Sequence, residues 1–193
     1  MDVTTIAETE RLIIRHFASN DFEALYEIMK KPEVMYAWEH GFSESETKDW
    51  IDRQINRYHD DGYGYFAVVQ KESGKLIGQA GLLKNEVNGD SIVEIGYIFD
   101  NTVWGNGYAL EACHSCVDLA SKYYPIDKLY ATIRPENTVS AKLALKLGMT
   151  KIGEYEKFYQ GKAMPHDIYL LEINTASASF PIPQAFQGSF YRT

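Results

Sequence analysis

A run of β-forming residues, SIVEIGYIF at 91–99, gives way within a few positions to a helical repeat, and Gly105 and Gly107 fill the junction. This order of strand, glycine loop and helix restricts the possible folds more than any other feature of the chain. From Gly107 onward Ala109, Ala112, Cys113, Cys116, Val117 and Ala120 recur at helical spacing as one apolar stripe. Glycine weakens strands and helices alike, so a pair of them between bulky Trp104 and Tyr108 needs a reason. One reason is a tight turn. The other is a backbone that a ligand must approach, since the first N–H groups of a helix point outward unpaired with the positive end of the dipole behind them. Neither common phosphate motif is present. Leu110 stands where a dinucleotide fingerprint needs its third glycine, and no G-x-x-x-x-G-K-[ST] occurs. Taken alone, the loop leaves both readings open.

The remaining segments set its context. ETERLIIRHF (8–17) predicts a first strand. SNDFEALYEIMKK (19–31) predicts a helix capped by Ser19 or Asn20, with Phe22, Leu25, Ile28 and Met29 on one face and Pro32 as its stop. A second helix is expected over 44–58, its stripe formed by Trp50, Ile51, Ile55 and Tyr58. GYFAVVQK, KLIGQAGLLK and SIVEIGYIF, joined by the turn-type ESGK and EVNGDS, predict an antiparallel meander. DKLYATIR reads as a strand, Asn137 opens a helix after Pro135, and MTKIGEYEKF and HDIYLLEIN close the sheet. The expected architecture is one mixed α/β domain over residues 1–174. Residues 175–193 carry prolines, aromatics and almost no charge, so they are expected to form a tail outside the fold, disordered or laid on a neighbouring surface.

A net charge of -8 argues against a nucleic-acid or anionic membrane surface as a partner. It leaves room for a small anionic ligand, because helix N-termini hold phosphates without lysine. The opening MDVTTIAETERLIIRHF lacks the pattern of a signal peptide, and no stretch approaches the ~18 apolar residues of a membrane span. Two cysteines suit a reducing cytoplasm, the expected location. Cys113-His114-Ser115-Cys116 has no second ligand pair elsewhere, and both cysteines fall in the apolar stripe, so they are expected to fill core and to bind no metal.

EIGYIFDNTVWGNGYALEA (94–112) resembles the acetyl-coenzyme A segment of the GNAT N-acetyltransferases, above all the branch containing the ribosomal-protein N-terminal acetyltransferases. TERLIIRHFASNDFEALYEIMKKPEVM is similar to that branch's opening strand and first helix, and GKLIGQAGL to its middle hairpin. IRPENTVSAKLALKLGMTKIGEYEK resembles its N-x-x-S…KLGF helix and the strand after it, so the likeness spans residues 8–173. It implies a GNAT-like acyl-coenzyme A N-acyltransferase fold, a mostly antiparallel central sheet flanked by helices. It implies further that Tyr97, Ile98 and Phe99 pair by backbone with the pantetheine arm, and that amides of Trp104, Gly105, Asn106, Gly107, Tyr108 and Ala109 wrap the pyrophosphate. Asn137 would hold the pantetheine and Ser140 would lie near the thiol. The acceptor pocket would include Tyr36, Trp38, Glu39 and His40. The sequence departs from the family at Asn106, where a basic residue is usual, at Met149 in place of the KLGF aromatic, and at Ala144, where many relatives carry an acidic tyrosine.

The chemistry expected from these residues is acetyl transfer to a primary amine in a ternary complex, a protein N-terminus first, then a lysine or small amine. An amine of pKa ~10.4 attacks only when neutral, so a proton acceptor is needed. Glu94, a carboxylate in an apolar strand where burial disfavours its charged form, is the expected base; the rival reading is a solvent-facing glutamate. A backbone N–H near Ile98 would hold the oxyanion. Ser140 is the expected proton donor to the thiolate, its rival role being that of a cap beside Asn137. A non-catalytic module that retains coenzyme A is the competing function, and the protein is expected as a monomer or homodimer.

Overall fold

A computed structural model describes residues 4–159 and 161–173. In chain order the elements are β1 (Thr5–Glu8), β2 (Leu12–Arg15), α1 (Phe22–Met29), α2 (Glu44–Asp60), β3 (Tyr65–Gln70), β4 (Leu76–Val87), β5 (Asp90–Phe99), α3 (Tyr108–Tyr123), β6 (Lys128–Ile133), α4 (Thr138–Lys146), β7 (Thr150–Tyr159) and β8 (Lys162–Glu172). Short 3-10 turns cover Ser19–Asp21, Tyr36–Trp38 and Asn101–Val103. The strands form one sheet in the order β1-β2-β3-β4-β5-β6-β8-β7, every neighbouring pair antiparallel except β5 and β6. This is the mixed α/β, mostly antiparallel architecture expected from the sequence. The tail lies outside the described residues.

Helices cover both faces. Cys113 and Cys116 of α3 pack with Leu12, Phe66, Leu82 and Leu129 on one face, with Met149 and Ala144 in the same core. On the other face Leu25, Ile28, Met29, Trp50 and Ile51 of α1 and α2 meet Tyr65, Ala67 and Ile98. Truncating fully buried Leu12 or Leu82 to alanine is expected to cost ~2–5 kcal/mol.

Three local expectations change. Residues 8–17 hold not one strand but the second half of a hairpin, because β1 pairs antiparallel with β2. The start of α1 is organised by neither Ser19 nor Asn20. Asp21 accepts the Ala18 N–H at 2.8 Å and a bidentate pair from Arg15 at 2.7 Å, so it fixes the turn that leads into the helix. In α2, Ile55 is 39% exposed while Gln54 is 1% exposed. The reason is a backbone debt: Tyr65 N–H needs an acceptor and finds Gln54 Oε1 at 3.0 Å, while Gln54 Nε2 donates to Trp50 O.

Candidate active site

The loop after β5 is built from its own side chains. Asp100 accepts Thr102 N–H at 2.7 Å and so caps the short turn, and Trp104 Nε1 donates back to Phe99 O at 2.9 Å. Gly105 and Gly107 have φ of +80° and +81°, the left-handed region that disfavours any side chain. A Cβ on Gly105 would meet nothing within 4 Å, so the backbone there is bare. Gly107 is the N-cap of α3 and offers no side-chain acceptor; the first helical bond runs from Glu111 N to Gly107 O. The N–H groups of Tyr108, Ala109 and Leu110 therefore lack an intrahelical acceptor. Asn106 turns inward, its Nδ2 donating to Val103 O at 3.0 Å and Trp104 O at 3.3 Å.

The sheet splits beside this loop. β5 and β6 share one ladder position, Glu94 opposite Tyr130, and then part. A continuing parallel ladder would use Thr132 N–H for its next rung. Glu94 Oε1 takes that N–H instead at 2.9 Å, together with the Thr132 hydroxyl, while Asn85 Nδ2 donates to Oε2 at 2.7 Å. Asp100 N–H donates to Ile77 O, so by alternation Gly96 and Ile98 turn their backbone groups to β4, and Ile95, Tyr97 and Phe99 turn theirs to the gap. Phe99 O is already held by Trp104. Tyr97 is thus the residue whose backbone faces the split directly, whereas the N–H of Ile98 belongs to the β4 ladder.

Asn137 and Ser140 meet at the start of α4. Asn137 Oδ1 accepts Ser140 N–H at 3.0 Å, and its Nδ2 donates to Ser140 Oγ at 2.8 Å. Asn137 is thus the N-cap of α4 and Ser140 the residue it caps, and because Ser140 Oγ accepts here its own O–H can still donate. Ser140 lies beside the Tyr97 hydroxyl, which is buried without a well-formed hydrogen bond. Burial pushes that phenol upward, with Ser140 opposing. Tyr36 joins the group from the segment between α1 and α2. Burial and Glu136 push its phenol up, Arg134 and Asn137 oppose, and the Arg134 guanidinium stands 5.8 Å from its ring.

The other proposed acceptor contacts separate from Tyr36. Trp38 stacks edge-on against Phe42 and Trp50 and lines a 240 Å³ pocket with Phe42, Glu46, Asp49, Arg53 and Tyr159. Glu39 is ion-paired with Lys162 at 2.9 Å. His40 Nε2 meets Glu46 at 2.8 Å, a contact that raises the imidazole and, with Ser43 N–H as the larger cause, lowers Glu46 to about 2.

Sequence reasoning missed four residues here. Tyr155 has a buried hydroxyl beside Thr132 and Glu94, and its ring lies 5.6 Å from His166. His166 is buried, and burial lowers its pKa. Its place between Met164 and Ile168, on the inward phase of β8, was the available signal. Arg11 and Thr9 reach the glycine loop through Glu111, and no local pattern links segments so far apart. The thiols of Cys113 and Cys116 take no part. Burial pushes Cys113 well up and Cys116 to about 12.

The sequence profile of the acetyltransferase (GNAT) domain family matches residues 11–150. An uncharacterized N-acetyltransferase of Bacillus subtilis, YnaD, is 31% identical over 150 residues, 77% of this chain and 85% of that protein. The crystal structure of a GNAT-family acetyltransferase from Bacillus anthracis superimposes with TM-score 0.72 at 27% identity, covering 86% of this chain and 96% of that one. RimL, a ribosomal L7/L12 α-N-protein acetyltransferase solved with coenzyme A, shares the fold with TM-score 0.73 at 16% identity over 90% of this chain and 99% of its own.

Proposed function

The chain belongs to the GNAT acetyltransferase family, and on that premise we propose that it carries the acetyl group of acetyl-coenzyme A directly to a primary amine. The observation that carries this reading is the juxtaposition of two unpaired backbone surfaces, the gap-facing edge of β5 at Tyr97 and the bare loop at Gly105–Gly107. Their order along the chain suits a thioester arm followed by a pyrophosphate. Tyr97 C=O pairs with the arm, and the amides from Gly105 through Ala109 receive the phosphates; Trp104 N–H, expected among them, is already given to Asn101 O at 3.3 Å.

In this mechanism the neutral amine attacks the acetyl carbonyl carbon and a C–N bond forms. Glu94 takes the amine proton, directly or through a water. The C–S bond then breaks, and the departing thiolate, whose conjugate acid has pKa ~8.5, takes a proton from Ser140. Tyr97 N–H, facing the gap, is better directed than Ile98 N–H to receive the oxyanion. Positioning of amine and thioester supplies much of the rate, with effective molarities of ~10⁵ M or more. Tyr36 and Trp38 stand on the acceptor side, and the acceptor is a protein N-terminus first, then a lysine or small amine. The working unit is the domain of residues 1–174, as monomer or homodimer in a reducing cytoplasm.

Thermal stabilisation by acetyl-coenzyme A but not by NAD is the expected result, and absence of any shift at millimolar acetyl-coenzyme A overturns the proposal. Thiol release on adding a panel of peptides, lysine and polyamines then identifies the acceptor.

A further inference from the structure

We infer that Arg11, in the turn between β1 and β2, is the cationic ligand of the donor's pyrophosphate that the glycine loop itself lacks. The inference rests on the reading of that loop as the acetyl-coenzyme A site. Residues 104–108 contain no cation, and the Asn106 side chain is committed to the carbonyls of Val103 and Trp104. Arg11 reaches the same place from elsewhere in the chain. Its Nη1 donates to Asn106 O at 2.9 Å, and its guanidinium lies 4.5 Å from the Tyr108 ring centroid. Its Nη2 stands 3.6 Å from the position a Gly107 Cβ would take, so glycine at 107 leaves the guanidinium uncovered.

The donor inventory of the guanidinium carries the argument. Arginine has five N–H groups in a fixed fork. Nε and Nη2 each give one to Glu111 Oε2, at 2.7 and 2.6 Å, and Nη1 gives one to Asn106 O. One N–H on each Nη remains, on a side chain that is 42% exposed. The fork is held from behind, because Glu111 Oε1 also accepts the Thr9 hydroxyl and the Arg11 N–H, and Tyr108 Oη accepts from Gln70 Nε2 at 2.8 Å. Two directed donors thus stand at the rim of a loop whose first helical amides are also unpaired. Since Glu111 balances the charge, the contribution comes from directed hydrogen bonds more than from long-range attraction.

The test compares the wild type with Arg11→Gln and Arg11→Lys by calorimetric titration with coenzyme A and dephospho-coenzyme A, and by kcat/KM for acetyl-pantetheine, a donor without phosphates. Arg11→Gln is expected to weaken both nucleotide-bearing ligands equally, by about 10- to 30-fold, and to leave acetyl-pantetheine within about twofold. Arg11→Lys, which keeps charge but not the fork, is expected to lose about 3- to 10-fold. Melting without ligand accompanies each variant. Unchanged coenzyme A affinity in Arg11→Gln overturns the inference, as does an equal loss with acetyl-pantetheine, which marks a purely structural arginine. Loss with coenzyme A but not with dephospho-coenzyme A overturns the pyrophosphate assignment. Failure of the wild type to bind coenzyme A at all strikes the proposed function instead.

Discussion

Glu111 and Glu94 are each surrounded by hydrogen-bond donors, yet the donors differ in charge. Glu111, on α3 beside the glycine loop, faces the Arg11 guanidinium, the Arg11 N–H and the Thr9 hydroxyl. Burial pushes its carboxyl up, but these contacts outweigh burial and hold it below the ordinary value. Among the described residues the donors to Glu94, at the gap between β5 and β6, are neutral: the Asn85 amide and the N–H and hydroxyl of Thr132. A carboxylate paired with a guanidinium is a clamp whose charge is spent within the pair. One held by neutral dipoles has no opposite charge among those donors. The same residue type therefore fastens the loop in one place and, in the proposed mechanism, takes the amine proton in the other.

The largest expected effect tests the second half of that contrast. Glu94→Gln is expected to lower kcat about 100-fold or more while leaving the KM for acetyl-coenzyme A within about threefold, measured by thiol release. An unchanged kcat would reduce Glu94 to a second clamp. Gly107→Ala comes next, since a side chain at φ +81° costs about 1–2 kcal/mol of strain and is expected to weaken acetyl-coenzyme A binding about tenfold. An alanine that binds normally would show that the bare loop is dispensable.

Glu111→Gln is expected to cost about 1–2 kcal/mol, a fall of about 3–6 °C in Tm. Its acid limb adds a sign. A carboxyl held below its ordinary value stabilises the fold above that value, and the contribution is lost as pH falls through the folded pKa. The glutamine variant should therefore lose less stability than wild type below about pH 4.5. His16, lowered by burial to about 4, drains stability between pH 6.5 and about 4 in both proteins, so the two curves should run parallel from pH 6.5 to about 4.5, where the loss at Glu111 begins. Ser140→Ala is expected to have the smallest effect, a two- to fivefold fall in kcat, because a thiolate leaves with little help. A loss above 100-fold would make the reacting end depend on the serine as much as on the carboxylate.

The glycine loop, the helix after it and the meander before it were legible because each depends on neighbours in sequence. Asn137 and Ser140 were legible for the same reason, as a cap spans a few residues. Glu94 stood out as a polar residue in an apolar run, but its partners Asn85 and Thr132 come from different strands. The reversal of Ile55 and Gln54 followed from an unpaired N–H on β3, which no periodicity of α2 encodes. The hairpin of β1 and β2 was hidden because Thr9 and Arg11 are fixed by a carboxylate on α3.

The amino-acid sequence by itself determined the order of elements from α1 onward, the glycine loop at Gly105 and Gly107, and the place of Glu94 in the strand before it. Hydrophobic period, turn chemistry and left-handed glycine are all properties of short segments. Only the tertiary structure decided which backbone groups face the gap, which carboxylate meets a guanidinium, and that a cation reaches the loop from the β1–β2 turn. Those outcomes depend on where strands part and which donors meet across the sheet, and contacts between distant segments leave no periodic trace in the chain.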